Sequence, residues 1–104
     1  MAKKIVIDPG HGGEDPGTSA NGIVEKDYTL KISQYMSDRL NELGIENALT
    51  RDSDISLDSN NRPKKAQSFY GSGNDVIVVS NHINAGGATV AWCDLIKMFN
   101  MYIY

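Results

Sequence analysis

Two histidines and one glutamate have the residue types and spacing for metal chemistry. The only histidines in the sequence are His11, in "IVIDPGHGG", and His82, in "VIVVSNHINAGG". Each follows a short β-branched apolar run and sits among small or turn-forming residues that leave room beside the ring. Such runs read as strands of a parallel sheet. Parallel strands put their C-terminal tips on one edge, the usual place for chemistry in open α/β sheets. If the two strands are neighbours, their tips lie about 5 Å apart, and both imidazoles can reach one ion. Glu25 falls where the first helix is predicted to begin, on that same edge. Two imidazoles and a carboxylate with an open water position form a common catalytic zinc set. Nitrogen ligands favour zinc over magnesium or calcium.

Each residue also has an ordinary explanation. A loop histidine is commonly solvated or hydrogen-bonded, and an acid at a helix start interacts with the helix dipole. Spacing by itself leaves a metal site and three unrelated residues both open. The glycine loop "DPGHGGEDPG" invites a rival reading as a phosphate cradle built from backbone amides. It matches neither G-x-x-x-x-G-K-[ST] nor G-x-G-x-x-G. Asp8, Asp15 and Asp58 offer carboxylates for acid–base work, but turn acids need no catalytic role. Ser80 lies beside His82 without an evident third partner for a serine hydrolase. Cys93 sits in an apolar stretch, where an inert buried thiol is expected.

The elements that must position these residues follow from the pattern. Residues 4–8 read as a first strand and 9–24 as a Gly- and Pro-rich loop. "EKDYTLKISQYMSDRLNELG" reads as a helix with Tyr28, Ile32, Tyr35, Met36, Leu40 and Leu43 at helical spacing. Glu25 and Asp27 suit its start and Gly44 its C′ stop. Residues 45–51 form a weaker second strand and 52–61 a polar loop. A shorter helix covers about 60–70, with Pro63 in its first turn, and Gly71 and Gly73 follow it. "DVIVVS" (75–80) is the clearest strand. Strand, helix, strand, helix, strand implies an α/β fold, a mostly parallel sheet with flanking helices. Residues 88–104 are atypical: "ATVAWCDLIKMFNMYIY" is strongly apolar and has no polar stop.

The chain has 104 residues and a net charge of −3, which fits one domain with no basic footprint for nucleic acid. One cysteine excludes an internal disulfide framework and a multi-cysteine zinc site. The N-terminal apolar run is too short for a signal-peptide core or a membrane span. The expectation is a soluble chain without a signal peptide.

Four blocks in order, "IVIDPGHGGEDPG", "VEKDYTL", "TRDSDISLDSNNR" and "VSNHINAGG", resemble the zinc-dependent N-acetylmuramoyl-L-alanine amidases of the Amidase_3 type, over about residues 3–87. The resemblance implies that His11, Glu25 and His82 hold one Zn²⁺. It also implies that Arg62 and Asn84 occupy motif positions near the site, on the substrate side. Asn81 and Ile83 depart mildly from the family's usual neighbours of the second histidine. In such enzymes the metal polarises the amide carbonyl and acidifies a water molecule, and a glutamate late in the chain acts as general base. After His82 the only acidic residue is Asp94. The resemblance therefore implies a single amidase-like domain, over residues 1–104, whose C-terminal portion is missing and whose own catalysis is impaired. The alternatives are a short form that takes its base from another residue or a partner chain, and a non-catalytic murein-binding or regulatory module. An incomplete sheet edge predicts self-association through the apolar tail, Met98, Phe99 and Met101 to Tyr104. The implied place of work is the bacterial cell wall, as a phage-type lysin or as a domain of an exported or sporulation enzyme.

Overall fold

The structure is a computed structural model, and it describes residues 2–20 and 22–83. Its centre is a parallel sheet of β1 (Lys4–Pro9), β4 (Asn47–Leu49) and β5 (Val76–Asn81), in the order β4-β1-β5. The two crossovers contain α1 (Glu25–Glu42) and α2 (Asn61–Tyr70). A ribbon of β2 (Ser19–Ala20) and β3 (Ile23–Val24) precedes α1. The expected α/β class, with a parallel sheet and flanking helices, is the observed one.

β1 is central because its sequence can be buried from both sides. Val6 and Ile7 are fully buried, and both helices pack against this strand. β5 pairs with β1 along its whole length, from Lys4 opposite Val76 to Pro9 opposite Asn81. That register sends the chain out of both strands at the same level, two residues before His11 and one before His82. Along β5, Val76 to Val79 are half-buried rather than enclosed on both faces; among the described residues this strand is paired only on its β1 side.

The helix stops follow their sequence signals. Gly44 adopts a left-handed φ of 71° after α1, and its N–H donates to the Asn41 carbonyl, as a helix C-terminus requires. Gly71 plays the same part after α2 with φ 77°. Pro63 lies in the first turn of α2, where no intrahelical N–H bond is lost. The loop predicted over 9–24 contains the β2–β3 ribbon. Strands of two residues are too short to show an alternating pattern.

The buried face of α1 differs from the apolar stripe read in the sequence. Tyr28, Ile32, Tyr35 and Leu43 are exposed, whereas Glu25, Thr29 and Ser33 are buried. Successive steps of four keep those three on one face. The small size of Thr29 and Ser33 lets the helix approach the sheet closely, and their hydroxyls bond to the loop after β1 and to β5. Thr29 Oγ1 donates to the Gly10 carbonyl at 2.8 Å, and Asn81 Nδ2 donates to Ser33 Oγ at 2.9 Å. The polar tether outweighs the apolar spacing among the described residues. The apolar tail and its predicted self-association, together with Cys93 and Asp94, lie outside them.

One buried carboxylate ties the sheet together. Asp8 Oδ1 accepts from Thr50 Oγ1 at 2.7 Å and from Arg62 Nη1 at 2.8 Å, and Oδ2 accepts from Ser80 Oγ at 2.8 Å. It joins the tips of all three strands and α2. Asp8→Ala is expected to destabilise the fold by about 3–5 kcal/mol, because it leaves a largely buried guanidinium unpaired. Urea denaturation checks this; a loss below about 1 kcal/mol would show that the arginine finds solvent instead.

Candidate metal centre

Three turns converge at the C-terminal edge of the sheet. His11 lies in the loop after β1, Glu25 opens α1, and His82 follows β5. His11 Nε2 is 3.0 Å from Glu25 Oε2, His82 Nδ1 is 3.3 Å from His11 Nε2, and His82 Nδ1 is 3.4 Å from Glu25 Oε2. The rings meet edge to face with centroids 5.0 Å apart. Ligands on a tetrahedral zinc, with arms near 2.05 Å, stand about 3.3 Å apart. The three donors therefore form one face of such a tetrahedron, and their chemistry, two imidazoles and a carboxylate, suits zinc.

The backbone shapes this group closely. His11 has a positive φ of 62°, unique among non-glycine residues described, a conformation sterically disfavoured for residues with a Cβ. Two arginines hold the turn that imposes it. Buried Arg51 donates from Nε to the Pro9 carbonyl and from Nη2 to those of Gly10 and Lys26. Arg62 donates from Nη1 to the Pro9 carbonyl and from Nη2 to those of His11 and Leu57. Burial and the neighbouring Arg62 charge lower the pKa of Arg51, although a guanidinium stays charged in proteins.

Glycine is required where the chain touches the ligands. A Cβ on Gly10 would come within 2.6 Å of the His82 ring, and one on Gly17 within 2.6 Å of His11 and 2.8 Å of Glu25 Oε1. The loop amides do not form a phosphate cradle. Those of Gly10, Gly12, Asp15, Gly13, Glu14, Gly17 and Thr18 all donate to acceptors within the protein.

Glu25 is 1 % exposed. Burial works to raise its pKa, but N–H donors from Thr18 (to Oε1) and Ile83 (to Oε2), with both imidazoles, hold it below the ordinary value. His82 is held below its ordinary value by burial first and by the proximity of His11. Asp15, 2.8 Å from His11 Nδ1, is lowered chiefly by that hydrogen bond.

The other acidic candidates do structural work. Asp8 sits in the strand-tip network, and Asp58 accepts the N–H groups of Asn60 and Asn61 at the start of α2. Ser80 Oγ donates to Asp8, not to a histidine. All four hydrogens of the two terminal Arg62 nitrogens go to internal acceptors, so among the described residues its contacts support the His11 loop. Asn84 lies outside the described residues. Sequence reasoning passed over Arg51 and Thr29: an arginine or threonine gives no single-sequence sign that it turns inward to bond a distant carbonyl.

A parallel α/β domain with a His-Glu-His group at its strand tips is thus defined. The family profile described as N-acetylmuramoyl-L-alanine amidase (Amidase_3) matches residues 5–94, and the chain belongs to that family. It is 40% identical over 95 residues to the probable cell wall amidase LytH of Staphylococcus aureus, a match covering 88% of this chain and 32% of the relative. The chain thus spans about a third of the length of the curated relatives it matches. It is also similar to the solved N-acetylmuramoyl-L-alanine amidase AmiC2 of Nostoc punctiforme, with 35% identity and a TM-score of 0.68. That likeness covers 79% of this chain and 44% of the other. For an N-acetylmuramoyl-L-alanine amidase from Clostridium difficile 630 the values are 30% and 0.71, covering 83% and 47%.

The lowered pKa values of two ligand candidates, Glu25 and His82, fix the sign of their pH dependence without metal. A group whose folded pKa is lowered binds more protons in the unfolded chain than in the folded one as pH falls through its ordinary value. Stability therefore falls as pH drops, through His82 below about 6.5 and through Glu25 below about 4.5. The melting temperature of the metal-free chain is expected to fall between about pH 7 and pH 5, and His82→Gln to flatten that fall. An unchanged slope in the variant would assign the loss to another group.

Proposed function

We propose that this chain forms the metal-binding part of a zinc-dependent amidase domain acting on peptidoglycan. The bond hydrolysed is the amide between the lactyl group of N-acetylmuramic acid and L-alanine of the stem peptide. The carrying observation is the triangle of His11, Glu25 and His82 donors at zinc-compatible separations, in a chain of the amidase family. Bound there, zinc would polarise the scissile carbonyl and acidify a water molecule. His11 offers Nε2 and His82 offers Nδ1, while Glu25 supplies the negative charge. The N–H groups of Thr18 and Ile83 hold that carboxylate in place. Arg62 serves the site through the loop it fixes, and Asn84 through its motif position on the substrate side. The place of work is the bacterial cell wall.

Both Glu25 oxygens are engaged, and it is the one carboxylate in the three-residue group. Glu25 is therefore not the general base. That observation also favours a second reading, a murein-binding module that holds zinc without cleaving.

Elemental analysis is expected to give one zinc per chain, and His82→Ala to reduce it to near zero. Bound zinc that survives His82→Ala would refute the ligand assignment. Dye release from labelled sacculi, abolished by a chelator and restored by zinc, would support the amidase; zinc without release would support the binding module.

A further inference from the structure

We propose that Asp15 is a positioning residue that holds His11 as its Nδ1–H tautomer, leaving the Nε2 lone pair for the cation. The inference rests on reading His11, Glu25 and His82 as a metal site. A neutral imidazole carries its one proton on either nitrogen, and the partner of one nitrogen decides the state of the other. Asp15 Oδ2 lies 2.8 Å from Nδ1, and an ionised carboxylate only accepts. Once a cation takes the lone pair of the other ring nitrogen, the proton sits on Nδ1, where Asp15 accepts it. On the far side of the ring, Nε2 faces Glu25 Oε2 and His82 Nδ1.

The Asp15 side chain is 66% exposed, and an exposed carboxylate ordinarily moves about. This one is pinned. Its backbone exchanges both hydrogen bonds with Gly12, at 2.8 and 3.0 Å, and Oδ1 accepts the Gly17 N–H at 3.1 Å. A turn acid needs only the bond two residues on; the second oxygen is aimed at the ring as well. The spacing of four residues between His11 and Asp15 is closed by this Gly12–Asp15 bridge. Gly17 joins the two roles, since its N–H fixes Asp15 while a Cβ there would collide with His11 and Glu25. Outer carboxylates of this kind orient metal-bound histidines and strengthen binding.

The test compares the wild-type chain with Asp15→Ala and Asp15→Asn in two measurements: zinc affinity by chelator competition, and the His11 Nδ1–H signal of the zinc-bound chain by ¹H–¹⁵N NMR. Asp15→Ala is expected to weaken zinc binding by about 10–100-fold and to remove the protection of the His11 Nδ1–H against solvent exchange. Asp15→Asn, which keeps an acceptor oxygen, is expected to recover part of both. Equal zinc affinity in wild type and Asp15→Ala, with the His11 Nδ1–H equally protected, overturns the role of Asp15 alone. A wild-type chain that binds no zinc overturns the metal reading itself. If Asp15→Ala does not fold, the zinc-bound wild-type spectrum decides, and a proton on Nε2 or an unprotected Nδ1–H there refutes the proposal.

Discussion

The carbonyl oxygens of Pro9, Gly10 and His11 all point at guanidinium groups, and the candidate centre depends on that constraint. Arg51 and Arg62 reach this short stretch from the far side of the chain and hold it as the strand becomes a loop. An isolated turn would not keep a histidine at positive φ, because the clash of its Cβ favours relaxation. Charge-assisted bonds to successive carbonyls remove the freedom to relax. The buried charges are acceptable because every buried polar side-chain atom among the described residues has a partner. Arg62 has a carboxylate, Asp8. Arg51 relies on carbonyls and on Thr29.

The same economy explains α1. A helix on a sheet usually presents large apolar side chains. Here the end that bears Glu25 must bring a carboxylate against two imidazoles, and bulky neighbours would hold it away. Thr29 and Ser33 follow Glu25 on the buried face and bond to the loop and to β5. Helix, loop and strand tip are therefore joined by polar contacts that continue into the site. Rigidity of the loop and placement of Glu25 have one cause.

Much of the frame was legible. β1 and β5 announce themselves as β-branched runs ended by turn residues, and α1 and α2 stop at glycines that adopt left-handed φ. The neighbouring positions of His11 and His82 follow once the two strands are taken as adjacent. Less was legible about who holds whom. The sequence pattern marks Tyr28, Ile32 and Tyr35 as a helix face but cannot show that the polar stripe beside it is the one buried. Asp15 reads as an ordinary turn acid, and nothing local shows that Arg62 donates to the carbonyls of Pro9 and His11. The inward reach of both is a property of loop closure.

The sequence by itself determined the residue chemistry, the order of elements and the two strand ends that carry histidines, because periodicity and turn chemistry are local. Only the tertiary structure decided that β1 and β5 are paired in a register that sets His11 beside His82. It also decided that Arg51, 41 residues along the chain from Gly10, closes on that carbonyl. These are long-range choices: a side chain's partner across the fold depends on burial and packing of the whole sheet, which no window of neighbouring residues records.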